Sequence, residues 1–199
     1  MDTLFNDPGR SVPNERRPDN PVDPLFVHRW SPRAFDPTPI PENILLTLFE
    51  AARWAPSARN EQPWLFLYAS DENGLAAYRS ALVEFNQTWA NTAPVLVYLL
   101  ARRNTQHNNQ PNDWAAFDCG AAWMALAMQA RQFGLYSHAM GGFDPDRAYD
   151  VLGVDRAEFR IMCAIAIGRY GDPDSLPDEI RAREHPNERK PVTEIAIKA

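Results

Sequence analysis

The densest chemistry in the chain lies at the two ends of one short apolar segment. Before it stand His28-Arg29-Trp30-Ser31-Pro32-Arg33-Ala34-Phe35-Asp36, and it closes on Ala51-Ala52-Arg53-Trp54-Ala55-Pro56-Ser57-Ala58-Arg59-Asn60-Glu61-Gln62-Pro63-Trp64. Arginines, serines, an asparagine and a glutamine gather here, and the prolines among them hold the backbone in extended or turn geometry. Such a cluster suits a phosphorylated, planar, hydrogen-bonding ligand. Arg29, Arg33 and Arg189 are candidates to neutralise a phosphate, for which the forked guanidinium is well shaped. Ser31 sits between the first two, and Pro32 makes that turn rigid. Gly141-Gly142 lets a ligand approach the backbone closely.

No residues supply an acid and base of their own. Asp118 and Glu50 fall on helical segments, where they read as buried polar groups, and nothing pairs them. GxGxxG, P-loop, GxSxG and HExxH patterns are all missing from the sequence. An enzyme built this way needs a cofactor to carry the reaction.

The elements that must hold these groups follow from periodicity. A helix starts near Pro41, with Glu42 at its positive end, and repeats Ile44, Leu45, Leu48, Ala51, Ala52 and Ala55 at helical spacing. It stops before Pro56. Trp64 to Ala69 is a buried strand, followed by a helix over residues 71–85 with Gly74 in its first turn. Residues 94–100 read as the central strand, and 102–112 as a loop. The longest helix spans 113–133 and is apolar on two faces, which marks a central or interfacial position; Gly134 caps it. A short strand over 135–140, a helix from the Asp144 cap and Pro145 to Leu152, and a buried strand over 160–167 come next. An edge strand is expected at 195–197. The pattern is an α+β layered domain over residues 27–199. Residues 1–26 form an extended, Pro-rich arm, expected to be mobile or draped over a partner.

Bulk properties narrow the classes. The chain has 199 residues, a net charge of −6 and no long block of like charge, which argues against nucleic acid as a partner. No apolar run approaches the ~18 residues of a membrane helix. Met1 to Pro8 lacks the pattern of a secretory signal, so a cytoplasmic location is expected. Cys119 and Cys163 read as small buried hydrophobes, and the four histidines have no zinc-motif spacing, so no metal is expected.

Taken together, Arg29-x-Ser31-x-Arg33-x-Phe35 and Glu50-Ala51-Ala52-Arg53-Trp54-Ala55-Pro56-Ser57-x-x-Asn60-x-Gln62-Pro63-Trp64 resemble the opening of the FMN-dependent nitroreductase family. Phe85-Asn86-Gln87 with Ala93 to Val97, Asp118 to Leu135, His138 to Asp144, Ala166 to Gly171, and Glu188 to Glu194 resemble its later blocks. The resemblance implies a three-layer α/β/α fold with a mixed, largely antiparallel sheet, in an intertwined homodimer. It implies FMN as cofactor, NADH or NADPH as donor, and a nitroaromatic or quinone-like acceptor served by a ping-pong mechanism. By the same resemblance Arg29, Ser31 and Arg189 hold the FMN phosphate, with Trp30 beside them. Arg33 approaches the pyrimidine edge, and Asn86 bonds the ring. Ala139, Met140, Gly141 and Gly142 lie against it, with the Gly141 N–H directed at N5. Pro56, Ser57, Ala58 and Asn60 reach the flavin of the other subunit. Trp89 stands where some members carry a lysine, which suggests an aromatic pocket over the ring. A flavin carrier or sensor, an iodotyrosine dehalogenase and a flavin-cleaving enzyme remain alternatives.

Overall fold

The computed structural model describes residues 12–198; the segment read above for a secretory signal and the first part of the arm lie outside them. In chain order the described elements are α1 (Pro24–His28), α2 (Glu42–Arg53), β1 (Trp64–Ala69), α3 (Glu72–Ser80), α4 (Glu84–Ala90), β2 (Val95–Arg102), α5 (Ala115–Gln132), β3 (Leu135–Met140), α6 (Pro145–Leu152), β4 (Phe159–Arg169), α7 (Asp178–Arg181) and α8 (Val192–Ile195).

The sheet runs β1-β2-β4-β3, and its three pairings are all antiparallel. In β2, Val95 through Ala101 are at most 3% exposed, so both faces of this strand are covered. A strand apolar on both sides needs a layer on each. On one face, Ile44, Leu45, Leu48 and Ala52 of α2 and Cys119, Ala122, Leu126 and Ala130 of α5 pack on Val95, Val97, Leu99, Ile165 and Ile167. On the other, Leu75, Trp89, Ala148 and Ile180, from α3, α4, α6 and α7, pack with Trp30 and Phe35 on Leu96, Tyr98, Leu100, Ala164 and Ala166. The result is the expected three-layer α+β arrangement.

Local signals set the helix ends. Asp144 accepts from the N–H groups of Asp146 and Arg147, with Pro145 at the first position; such a cap contributes about 1 kcal/mol. Gly134 takes φ 70°, the left-handed value that ends α5. Of the cysteines, Cys119 is buried and Cys163 half-buried; burial raises both thiols to about 12, so they stay protonated.

Three expectations need correction. The helix expected over 71–85 is two helices, because Leu82 pairs with Phe143 in a β-bridge and the Val83 N–H donates to the Gly142 carbonyl at 3.1 Å. Residues 195–197 form no strand; Pro191 opens the short helix α8 instead. The described part of the arm is docked on its own chain rather than free: Asn14 Nδ2 donates to the Val27 carbonyl (3.1 Å) and Asp19 Oδ2 accepts from the Val192 N–H (2.8 Å).

The segment carrying Ser31 and Arg33 is fastened to the end of β4. Phe35 bridges Tyr170, the Asp36 N–H donates to the Arg169 carbonyl (3.1 Å), and the Gly171 N–H donates to the Ala34 carbonyl (3.0 Å). A Cβ on Gly171 would come within 2.5 Å of the Phe35 carbonyl carbon. Only glycine permits this crossing.

Candidate functional site

The arginine turn sits where chain ends meet. Arg29 caps α1, and its NH1 group lies 3.4 Å from Ser31 Oγ. Burial and then the neighbouring Arg189 charge lower the pKa of Arg29, so the two guanidiniums share one field. No carboxylate lies within ion-pair distance of either among the described residues. Arg16, which the sequence pattern did not single out, joins them from the arm. A cavity of about 690 Å³ is lined by Arg16, Arg29, Arg189 and Lys190, with Trp123 and Met124 of α5 among its apolar wall.

Glu184 holds the next residues. Its Oε1 accepts from the backbone N–H groups of Arg33 (2.7 Å) and Ala34 (2.8 Å). Burial raises its pKa, and these two bonds and Arg33 oppose that shift. Its Oε2 is buried without a hydrogen-bond partner among the described residues. The loss of this carboxylate would leave two N–H groups without an acceptor, which is why one residue far along the chain can fix the turn.

Behind the turn stands an aromatic stack. Trp89 lies between Phe35, at 6.4 Å between ring centroids, and His138, at 4.6 Å. The Arg33 guanidinium sits 5.9 Å from the Trp89 ring centroid. The expectation of Trp89 lining an aromatic pocket over the ring is therefore corrected: its side chain is 1% exposed and belongs to the core. Trp30 is likewise turned inward, against Tyr136 and Tyr170. Any ligand contact from Trp30 must come from its backbone. His138 Nδ1 meets the Pro32 carbonyl at 2.8 Å. A carbonyl only accepts, so Nδ1 carries the hydrogen.

The end of β3 offers backbone. Met140 is buried, Ala139 is half-buried, and Gly141 is exposed. A Cβ on Gly141 would meet nothing within 4 Å, and its N–H makes no hydrogen bond among the described residues. Gly142, by contrast, is a tight spot: a Cβ there would fall 2.5 Å from Asn86 Nδ2. Asn86 is buried on α4 and donates to the Gly142 carbonyl at 2.8 Å. One of its N–H groups is thus spent on shaping the turn beside Gly141.

The second half of the sequence cluster lies elsewhere in the chain. Ala58 N–H donates to Asp118 Oδ2 on α5 (3.1 Å), and Ser57 Oγ accepts from the Gln62 N–H (3.0 Å). Arg59, Asn60 and Gln62 take φ values of 53°, 58° and 47°. Non-glycine residues in that region cost on the order of 1–3 kcal/mol each and persist only where neighbours enforce them. Here the enforcer is Glu61, which accepts from the Gln106 N–H (2.7 Å) and pairs with His107. Those contacts, the Gln106 bond foremost, hold its carboxyl below the usual range. The described contacts of residues 57–62 thus lead to α5 and the 104–110 loop, not to the arginine corner. Glu50 is exposed and bonded to Arg53 and Trp54, so it is not the buried group expected.

The described residues offer no group of histidine, cysteine or carboxylate side chains able to hold a metal. No helix among them is long and apolar enough to cross a membrane.

Known proteins share this fold. A family model described as the nitroreductase family matches residues 27–169. A crystal structure of an oxidoreductase containing FMN is 42% identical, covers 96% of this chain and 98% of its own, and superposes with a TM-score of 0.89. An NADH dehydrogenase of Thermus thermophilus is 30% identical over 71% of this chain and 83% of its own length. An enone reductase of Lactiplantibacillus plantarum is 24% identical over 75% of this chain and 86% of its own.

Proposed function

Because the chain belongs to the nitroreductase family, matched over residues 27–169, we propose that it is an FMN-dependent oxidoreductase. In this reading it carries electrons from NADH or NADPH to a small aromatic acceptor of nitroaromatic or quinone type, by a ping-pong mechanism. The observation that carries the proposal is the Arg29–Arg189 pair, whose like charges repel and which no carboxylate meets within ion-pair distance among the described residues, although Glu188 lines the same cavity. A phosphate dianion turns that repulsion into attraction.

When bound, FMN supplies the redox chemistry that the side chains lack. The chain supplies the rest. Arg29, Ser31 and Arg189 hold the phosphate, and Trp30 contributes backbone only. Arg33, with its main chain fixed by Glu184, sets positive charge at the pyrimidine edge. The Gly141 N–H, which makes no hydrogen bond among the described residues, would be the donor offered to the flavin, with Ala139, Met140 and Gly142 as the surrounding backbone shelf. Asn86 secures that shelf through Gly142, and the N–H left to it is available to the ring. A ring held against this backbone would align donor and acceptor, at about 3–3.5 Å, by shape rather than by an acid or base.

Pro56, Ser57, Ala58 and Asn60 complete the site of a second copy, making the working form a homodimer. Trp54 on the end of α2 and Trp114 and Phe117 at the start of α5 are 74%, 63% and 76% exposed. Large apolar side chains left bare on adjoining helices support an interface there.

Arg29→Ala tests the phosphate assignment. Removing a charge-assisted fork should weaken FMN binding about 10- to 100-fold while riboflavin, which has no phosphate, binds as before. Flavin-fluorescence titration reads both. An unchanged FMN dissociation constant would take Arg29 out of the phosphate site. Steady-state rates with donor and acceptor varied together test the mechanism: parallel double-reciprocal lines are expected, and intersecting lines would refute a ping-pong order.

A further inference from the structure

We infer that Arg16, in the N-terminal arm, is the residue that assembles the anion site, holding Arg29 and Arg189 together as one receptor for a phosphate monoester. This rests on the phosphate assignment proposed above and extends it to a residue outside the matched segment 27–169.

The geometry is that of a clasp. Arg16 Nε donates to the Asn187 carbonyl at 2.6 Å. Its NH1 group donates to the carbonyls of Val27 (3.1 Å) and Arg29 (2.9 Å). One planar guanidinium therefore ties the backbone of Arg29 to the backbone two residues before Arg189, although these segments are about 160 positions apart in sequence. The bonds use Nε and NH1; the NH2 group makes no hydrogen bond among the described residues. Asn14 sets the approach by accepting from the Arg16 N–H at 3.2 Å while donating to the Val27 carbonyl.

The electrostatics give the clasp a purpose. Burial, then the charges of Arg189 and Arg29, lower the Arg16 pKa, and only Glu188 is recorded as opposing them. Three guanidiniums crowd one corner of an amphipathic cavity, whose apolar wall suits the organic part of a phosphomonoester. A purely structural tie would need no such charge, since carbonyls can be bridged by neutral donors. A lysine cannot replace it, because a point charge does not span three carbonyls in one plane.

The test uses full-length protein with Arg16→Lys and Arg16→Met. Both should weaken FMN about tenfold or more while leaving riboflavin affinity unchanged, and Arg16→Lys, which keeps the charge, guards against misfolding of the methionine variant. Wild-type FMN affinity in Arg16→Lys would overturn the inference, as would an equal loss for FMN and riboflavin. Inorganic phosphate, followed as a rise in Tm, probes the corner without flavin. If FMN fails to bind but phosphate stabilises the wild type and not Arg16→Lys, the flavin assignment falls and the anion site stands. If phosphate stabilises both equally, the role of Arg16 falls.

Discussion

Replacing Trp89 by alanine should lower the unfolding free energy by about 3–5 kcal/mol, the usual cost of emptying a large aromatic site in a close-packed core. The indole is 1% exposed and wedged between Phe35 and His138. Phe35 anchors the bridge to Tyr170, and His138 holds the Pro32 carbonyl. The cavity would therefore open directly beneath the turn that carries Ser31 and Arg33. Trp89→Phe should cost clearly less, because the indole Nε1 has no hydrogen-bond partner among the described residues to lose. Urea unfolding of the two variants measures both effects. A Trp89→Ala loss below about 1 kcal/mol would mean that the stack is not packed as described.

Acidification should expose His138. Burial, aided by the nearby Arg33 and Arg29 charges and opposed by the bond to Pro32, lowers its imidazole to about 4. An unfolded histidine takes up its proton near 6.5, so between about 6.5 and 4 the unfolded chain binds the proton and the native one does not. Stability contributed by neutral His138 is thus full above about 6.5 and is lost as pH falls through that window, by about 3 kcal/mol in all. Glu50, Glu61 and Asp36, whose carboxyls are held low, also lose stability in acid. The difference between wild type and His138→Gln isolates the histidine. That difference should shrink from pH 7 to pH 4 as the wild type loses its advantage; a constant difference would show that His138 titrates normally.

What the sequence disclosed depended on how local each signal was. The boundaries of β1 and β3 and the Asp144-Pro145 start of α6 are written in adjacent residues and match the structure. The break between α3 and α4 is not local. Ala81-Leu82-Val83 continues an apolar helix in sequence, and only pairing with Phe143 and Gly142, some 60 residues later, interrupts it. Ile195-Ala196-Ile197 has strand-forming composition, but the described sheet gives it no partner strand.

The site was legible in the same uneven way. Arg29, Ser31 and Arg33 announce themselves by spacing, and Gly141 by following a strand. Their joint assignment to a flavin came from resemblance, not from periodicity. The roles of Arg16, Glu184 and His138 carry no local pattern, since each acts through partners distant in sequence. Arg16 lies in a proline-rich arm, and Glu184 in a polar tail. Burial, which would have marked Glu184, is a property of the fold. The strained Arg59-Asn60 backbone was equally hidden, because neither residue is the glycine that left-handed geometry favours.

The most direct measurement is an anaerobic absorbance spectrum of the FMN-reconstituted protein before and after NADH, and separately NADPH. Loss of the oxidised-flavin band near about 450 nm with at least one nucleotide, and its return on adding a quinone or nitroaromatic, is the expected result. A band that persists with both nucleotides would contradict electron transfer and leave a flavin-binding protein without turnover.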